Sequence, residues 1–217
     1  ELGKPWRYGE LTAPFDFPIY KSEETINKER DSLLRAYEPF YNYNEHIEKV
    51  QIKRFTSDFS NGIPGLGHEY VKIIANQLSK IYQKGIISSP EYAEFQTDSA
   101  SAILIVKGKN AVSTPVSEIY STKAAYEMLY KEQRLAAYRQ SLQKCNLNEY
   151  IKPNLIYAEM RSESTLNEHQ NSIPLAMGVA QKGQKLIDRG DIVDEYNFRV
   201  IESLRQENDR RSYDSTQ

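Results

Sequence analysis

Glycine and proline cut this chain into short pieces, and that punctuation limits the fold more than any other feature. Pro14 and Pro18 lie four apart in Tyr8–Tyr20 and forbid helix there, so the opening reads as an extended edge segment. Asn61-Gly-Ile-Pro-Gly-Leu-Gly67 is a cluster of breakers and reads as a loop. Gly85, Gly108, Pro115, Pro153, Pro174, Gly183 and Gly190 interrupt the rest. The pattern predicts an α+β fold, mostly helical. A small mixed or antiparallel sheet joins the N- and C-terminal segments, and a β-hairpin lies at the centre.

The pieces between breakers carry their own signals. Ser22 caps a helix with Glu23 and Glu24 in its first turn and Ile26, Leu33 and Tyr37 on one stripe, ending before Pro39. Phe40–Asn44 reads as an aromatic exit from it. Val71, Ile74, Leu78 and Ile81 recur at helical spacing, Gly85 supplies a left-handed stop, and Ile86 is placed to fold back on Ile81. Ala102–Val106 and Ala111–Thr114 flank Lys107-Gly-Lys-Asn110 as a hairpin. A helix is expected over Thr122–Gln143 with Ala125, Met128, Leu129, Leu135 and Leu142 inward, broken by Asn146–Pro153. Gly183 and Gly190 punctuate short strands around Leu186 and Ile187. A last helix starts at Asp194, with Val193 and Phe198 as a hydrophobic staple and Ile201 and Leu204 buried. A weak repeat relates Ile19-Tyr20, Thr25–Asn27 and Asp31–Leu33 to Ile156-Tyr157, Thr165–Asn167 and Asn171–Ile173, two strand-to-helix units.

With 217 residues, 39% of them hydrophobic, the chain has enough apolar material for a packed core. It is read as one domain over 1–217, with its core over about 8–206 and residues 207–217 as a fraying mixed-charge tail. The 28 basic and 30 acidic residues nearly cancel, so no broad positive field exists to recruit nucleic acid. The longest apolar stretch, Ala102–Val106, is too short to span a bilayer. The opening at Glu1, without initiator methionine, basic n-region or apolar h-region, points to a processed or excised chain. The sixteen tyrosines read as ordinary core and rim residues, or as a ring-rich interface.

Catalytic chemistry finds little support. His46, His68 and His169 lie in separate segments, and none begins a His-Glu-x-x-His or His-Asp motif. Glu69 beside His68 points a different way from it at a helix start. The lone Cys145 excludes an internal disulfide framework and a thiolate metal cage, and sits at a helix end, where nothing lowers a thiol pKa. Gly62, Gly65 and Gly67 lack the lysine and hydroxyl of a phosphate loop and the spacing of a dinucleotide fingerprint. The carboxylate pairs Glu23 with Glu24 and Asp188 with Asp191 carry no mark of burial or shifted acidity. No catalytic, cofactor or metal residue is assigned, and the ligand-binding residues are not identified.

Four stretches in their order nevertheless resemble one family: Gly9–Ile19, Ile81-Tyr-Gln-Lys-Gly-Ile-Ile87, Pro153-Asn154 ahead of Thr165, and Lys182–Val193 with its Gly183-x-x-x-Ile187-x-x-Gly190-Asp191-x-Val193 cadence. Together they look like the extracytoplasmic domain of the bacterial seven-transmembrane HD phosphohydrolases, over about Gly9–Leu204. The resemblance implies a transmembrane helix before the domain, several after it, and a cytoplasmic metal-dependent HD domain that hydrolyses a phosphodiester, cyclic di-AMP in some members. No His-Asp dyad occurs here, so that activity is carried over to no residue of this chain, which is read as non-enzymatic. The aromatic start around Trp6 and Tyr8 is similar to Gram-negative versions and implies the periplasm. His169-Gln170 stands where the family often has arginine. The implied role is a sensor of an extracytoplasmic ligand, in a membrane-embedded parent; the alternative is an envelope protein-interaction or homodimerisation module. For the terminal stretches to serve a domain inserted between membrane helices, residues 1–20 and 183–193 are expected to lie side by side, with both chain ends leaving from one base.

Overall fold

The computed structural model describes residues 1–97 and 101–216. In chain order it forms β1 (Leu11–Thr12), β2 (Phe17–Tyr20), α1 (Glu23–Ala36), β3 (Phe40–Tyr43), α2 (Glu45–Asp58), α3 (Glu69–Lys84), β4 (Ile86–Ile87) and α4 (Ser89–Thr97). There follow β5 (Ala102–Lys107), β6 (Asn110–Pro115), β7 (Tyr120–Ser121), α5 (Thr122–Leu129), α6 (Gln133–Ala136) and α7 (Arg139–Gln143). The chain closes with β8 (Leu155–Tyr157), α8 (Glu159–Asn171), β9 (Ala176–Ala180), β10 (Lys185–Ile187) and α9 (Glu195–Asp214). The fold is α+β, as its breakers predict. Where the sequence reads as one domain, the contacts fall into two compact units: Glu1–Leu34 with Asn167–Gln217, and Arg35–Leu166.

The first unit is built from the two ends of the sequence. Gly3 N–H donates to Val193 O, Trp6 N–H to Asp191 O, and Ala13 N–H to Gln184 O. β1 pairs with β10 and β2 with β9, both antiparallel, and Lys21 N–H donates to Leu175 O. These bonds run in nearly one register, so residues 3–21 and 175–193 form a single antiparallel ribbon with bulges. Gly183 and Gly190, both at positive φ (84° and 90°), make the turns that flank β10. The sequence-based expectation that these stretches meet is met.

Helix α9 covers one face of the ribbon. Asp194 caps it, accepting from Asn197 N–H at 2.7 Å. Val200 and Leu204 pack with Ala13, Phe17, Ile19 and Ala180. Its buried stripe is Val200, Ser203, Leu204 and Glu207, so Val200 takes the core position expected of Ile201. Polar Ser203 and Glu207 hide that stripe from a hydrophobic reading. Ser203 Oγ accepts from Tyr20 N–H at 2.8 Å, and Arg199 donates to Tyr20 O at 3.1 Å and Lys21 O at 3.3 Å. These bonds satisfy backbone groups at the end of β2 that the two-stranded sheet leaves unpaired.

Residues 207–214, read from the sequence as a fraying tail, continue α9: Glu207 is buried and bonded to Arg210, Arg211 stacks 3.7 Å from the Phe15 ring centroid, and residues 208–216 are exposed; Gln217 lies outside the described residues. The ends do not leave from one base. α9 starts beside Gly3 and rises about 30 Å over its length before it ends.

The second unit holds two cores. Around α2, α3 and α5, Phe55, Ile74, Leu78, Ile81, Tyr82, Ile86 and Leu129 form one. Tyr41, Ile87, Ile103, Ile105, Ile119 and Leu155 form the other, against a four-stranded sheet of order β6-β5-β3-β8. The predicted hairpin is β5–β6, with Gly108 (φ 60°) first in its two-residue turn. β3 pairs parallel with β5 and antiparallel with β8, so the expected aromatic exit is a central strand. α2, capped by Asn44, was not anticipated from the sequence. Both members of the weak repeat, β2–α1 and β8–α8, are strands followed by helices.

The helix expected over 122–143 is three short helices. Leu129 and Leu135 are six residues apart, about 240° around a continuous helix, and would not share a face. Both are fully buried because the chain breaks at Tyr130–Glu132. Glu132 is extended there and caps α6 by accepting from Arg134 N–H. Ala125, Leu129, Leu135 and Leu142 all reach the core as expected.

Gly85 ends α3, its N–H donating to Ile81 O and Tyr82 O, but at φ 106° and ψ 135° rather than in the left-handed helical region. A Cβ there would lie 2.6 Å from Leu155 Cδ1. Gly85→Ala is therefore expected to cost about 2–4 kcal/mol, read from urea unfolding, from backbone strain and overpacking together. A loss under about 0.5 kcal/mol would contradict this account of the helix stop.

Candidate functional site

The most constrained polar structure in the second unit surrounds Tyr82 and Asn154. Tyr82 sits on the inward face of α3, and its hydroxyl donates to Tyr150 O while accepting from Lys152 N–H at 3.0 Å. Asn154, with no exposed surface, accepts from Ile86 N–H at 2.7 Å and donates to Tyr82 O at 2.8 Å. Asn154 N–H in turn donates to Ile86 O. Tyr150 OH donates to Asp58 at 2.7 Å, and Arg54 lies over the Tyr150 ring. Five hydrogen bonds thus hold the irregular segment 150–154 to α3 and its C-terminal exit. Such a segment is fixed only when its buried polar groups are all satisfied.

Burial pushes the Tyr82 hydroxyl up to about 12. Burial, reinforced by Asp58, pushes Tyr150 up to about 12 as well. Both phenols are neutral donors at ordinary pH and have no role as bases. Tyr41, buried with its hydroxyl on Glu91, is likewise shifted upward, first by burial.

The segment held in this way forms one wall of an open cleft of about 580 Å³. Asn148, Ile151, Lys152 and Pro153 line that side; Thr122, Lys123 and Tyr126, from the first turns of α5, line the other. The α5 side is also fixed. Ser121 Oγ accepts from Ala124 N–H at 3.0 Å, Thr122 Oγ1 lies 2.9 Å from Ser89 Oγ, and Tyr126 OH lies 3.1 Å from Tyr130 OH. The lining holds two lysines and no carboxylate. A second cavity of about 340 Å³ beside α3 and α6 also carries lysines, Lys72 and Lys80, but with Glu69 and Glu132 among them. Hydrogen bonds from the Arg134 side chain and backbone hold Glu132 down at about 2, so Arg134 is already neutralised there.

The residues singled out in the sequence do not assemble. His46, His68 and His169 are all exposed and lie on α2, ahead of α3 and on α8. Among the described residues no group of three or more His, Cys, Asp or Glu is placed to hold a metal ion. Glu69 lines the second cavity, Gly62, Gly65 and Gly67 lie in the loop before α3, and Cys145 is half-buried with its thiol pushed up by burial. Asp191 accepts from Asp188 N–H as part of the turn after β10, and Glu23 and Glu24 are exposed on α1. The tyrosines serve mainly as core and rim groups, with Tyr41, Tyr82, Tyr130 and Tyr150 buried. Sequence reasoning missed the cleft, and the Pro153-Asn154 pair was its nearest signal.

The chain is thus an α+β fold whose N- and C-terminal stretches are hydrogen-bonded to each other, with an open cleft between α5 and residues 148–153 in its second unit. The chain belongs to the 7TM-HD extracellular family, whose model matches residues 10–206. It is thus the extracytoplasmic domain of a seven-transmembrane HD protein, and among its described residues no helix is long and apolar enough to cross a membrane. No curated protein and no solved structure matches it.

Tyr82 is bound to its proton more tightly in the fold than in the unfolded chain, at about 12 against 10.0. Its contribution is therefore complete below about pH 10 and declines as pH rises toward 12. Thermal unfolding from pH 9 to 12 is expected to show a falling melting temperature. Tyr82→Phe flattens that slope while costing about 1–3 kcal/mol at neutral pH, because Lys152 N–H and Tyr150 O lose their partner. An unchanged slope would separate Tyr82 from the alkaline transition. Asn154→Ala, which orphans the buried Ile86 N–H, is expected to cost about 1–3 kcal/mol in the same assay.

Proposed function

We propose that this domain is the signal-receiving module of its parent. It binds a small molecule or cell-wall fragment on the periplasmic side and thereby biases a cytoplasmic HD phosphohydrolase, a cyclic-dinucleotide phosphodiesterase, through flanking transmembrane helices. The observation that supports this reading is the ribbon of residues 3–21 with 175–193. Both ends of the family match lie in one hydrogen-bonded unit, so a change in that unit acts on both flanking segments at once. The coupling is the differential affinity of the ligand for two packings of those segments. The chain itself is proposed to carry no catalysis.

Thermal-shift screening of the purified domain against soluble envelope metabolites is expected to find at least one that raises the melting temperature with saturable dose dependence. If none stabilises the fold, the ligand-sensing reading fails. The domain alone should hydrolyse neither phosphodiester nor ester model substrates, and turnover by it would overturn its non-catalytic role.

A second reading, an interaction or dimerisation module, draws on β9. Leu175, Met177 and Val179 are exposed at every second residue, on the face opposite buried Ala180, and β9 pairs only with β2 among the described residues. An apolar edge of this kind invites a partner strand. Sedimentation is expected to show self-association that Val179→Lys abolishes if this reading holds; a monomer across a wide concentration range would exclude homodimerisation through β9.

A further inference from the structure

We propose that the cleft between α5 and residues 148–153 binds a small acidic saccharide, a sugar ring carrying a carboxylate or a phosphate. This assignment rests on the ligand-sensing reading and adds the site and the chemical class.

Charge argues for the anion. Lys123 and Lys152 stand on opposite walls, neither in an ion pair among the described residues, and no carboxylate lines the cleft to neutralise them. The cavity beside α6 is the internal contrast, because its lysines share the space with Glu69 and Glu132. The backbone at the start of α5 is not the anion donor: Ala124 N–H is taken by Ser121 and Lys123 N–H faces Ser89 Oγ. The binding charge therefore comes from the lysine ammonium groups, which act as point charges and accept carboxylate and phosphate alike.

The ring follows from the rest of the lining. The half-buried Tyr126 ring offers apolar surface suited to the C–H face of a sugar, while Asn148 and Thr122 offer amide and hydroxyl groups for ring hydroxyls. Lys152 follows Ile151 on a segment that the Tyr82 hydroxyl fixes by its backbone, and the Tyr126 hydroxyl is fixed on Tyr130. The backbone of both walls is therefore fixed before a ligand enters, and the ordering cost of binding falls mainly on the two lysine side chains. A cleft of about 580 Å³ falls in the usual range for small-molecule sites.

The test is an amide-resolved NMR titration of the whole 217-residue chain with three probes: N-acetylmuramic acid for the carboxylate, glucose 6-phosphate for the phosphate, and N-acetylglucosamine as the neutral ring. At least one acidic probe is expected to shift the Lys123, Tyr126, Asn148 and Lys152 amides saturably, with affinity that falls as salt rises. The neutral ring should bind at least tenfold more weakly. Lys123→Gln with Lys152→Gln is expected to weaken the acidic probe at least tenfold, with the urea midpoint unchanged. The proposal is overturned if neither acidic probe shifts the cleft amides, if the neutral ring binds as well, or if the double variant binds as tightly. The two readings fail separately. An envelope metabolite that stabilises the fold while the cleft amides stay silent defeats this site and leaves sensing intact, whereas a screen in which nothing stabilises the fold defeats sensing itself.

Discussion

The backbone hydrogen bonding between residues 3–21 and 175–193 is the constraint on which the rest of the first unit depends. The core there is small: Ala13, Phe17, Ile19 and Ala180 from the ribbon, with Val200 and Leu204 from α9. Fully burying a Phe or Leu side chain is worth about 1.5–3 kcal/mol, so a handful of them leaves a narrow margin over chain entropy. The ribbon supplies the missing order by giving both terminal stretches a partner for their backbone groups. Arg199 and Ser203 then fasten α9 to the end of β2 through main-chain oxygens and nitrogen. Pairing stretches separated by most of the chain is entropically costly and slow, since the second unit's residues form the intervening loop.

In the second unit the comparable role falls to two polar side chains. Tyr82 and Asn154 bond almost wholly to backbone, and each fixes a segment that has no regular structure of its own. Removing either leaves a buried amide or carbonyl without a partner, which costs more than the bond contributes when made. The same bonds hold one wall of the cleft, so the stability of the unit and the shape of its one carboxylate-free lysine cleft among the cavities described come from one set of contacts.

Much of the architecture was legible because it is written in residues with narrow backbone preferences. Pro14 and Pro18 keep the opening extended, and Gly183 and Gly190 take the positive φ values that the turns around β10 require. Gly108 at the tip of the β5–β6 turn and Asp194 at the start of α9 are equally local signals. What was hidden depends on distant partners. β3 is four residues long and becomes a central strand only by pairing with β5 and β8. The breaks between α5, α6 and α7 follow from bringing Leu129 and Leu135 to one core, and the buried stripe of α9 includes polar Ser203 and Glu207. The cleft was illegible for the same reason, because Lys123 and Lys152 are ordinary surface residues until Tyr82 fixes the irregular segment that carries one of them.

Hydrogen exchange of the ribbon amides tests the central claim most directly. Trp6, Ala13, Gly183, Gly190 and Val193 donate backbone hydrogen bonds from both stretches of the ribbon, so the account predicts that they exchange slowly and with a similar opening free energy. Random-coil exchange in either stretch, while the other stays protected, would mean that the two ends of the sequence do not hold each other.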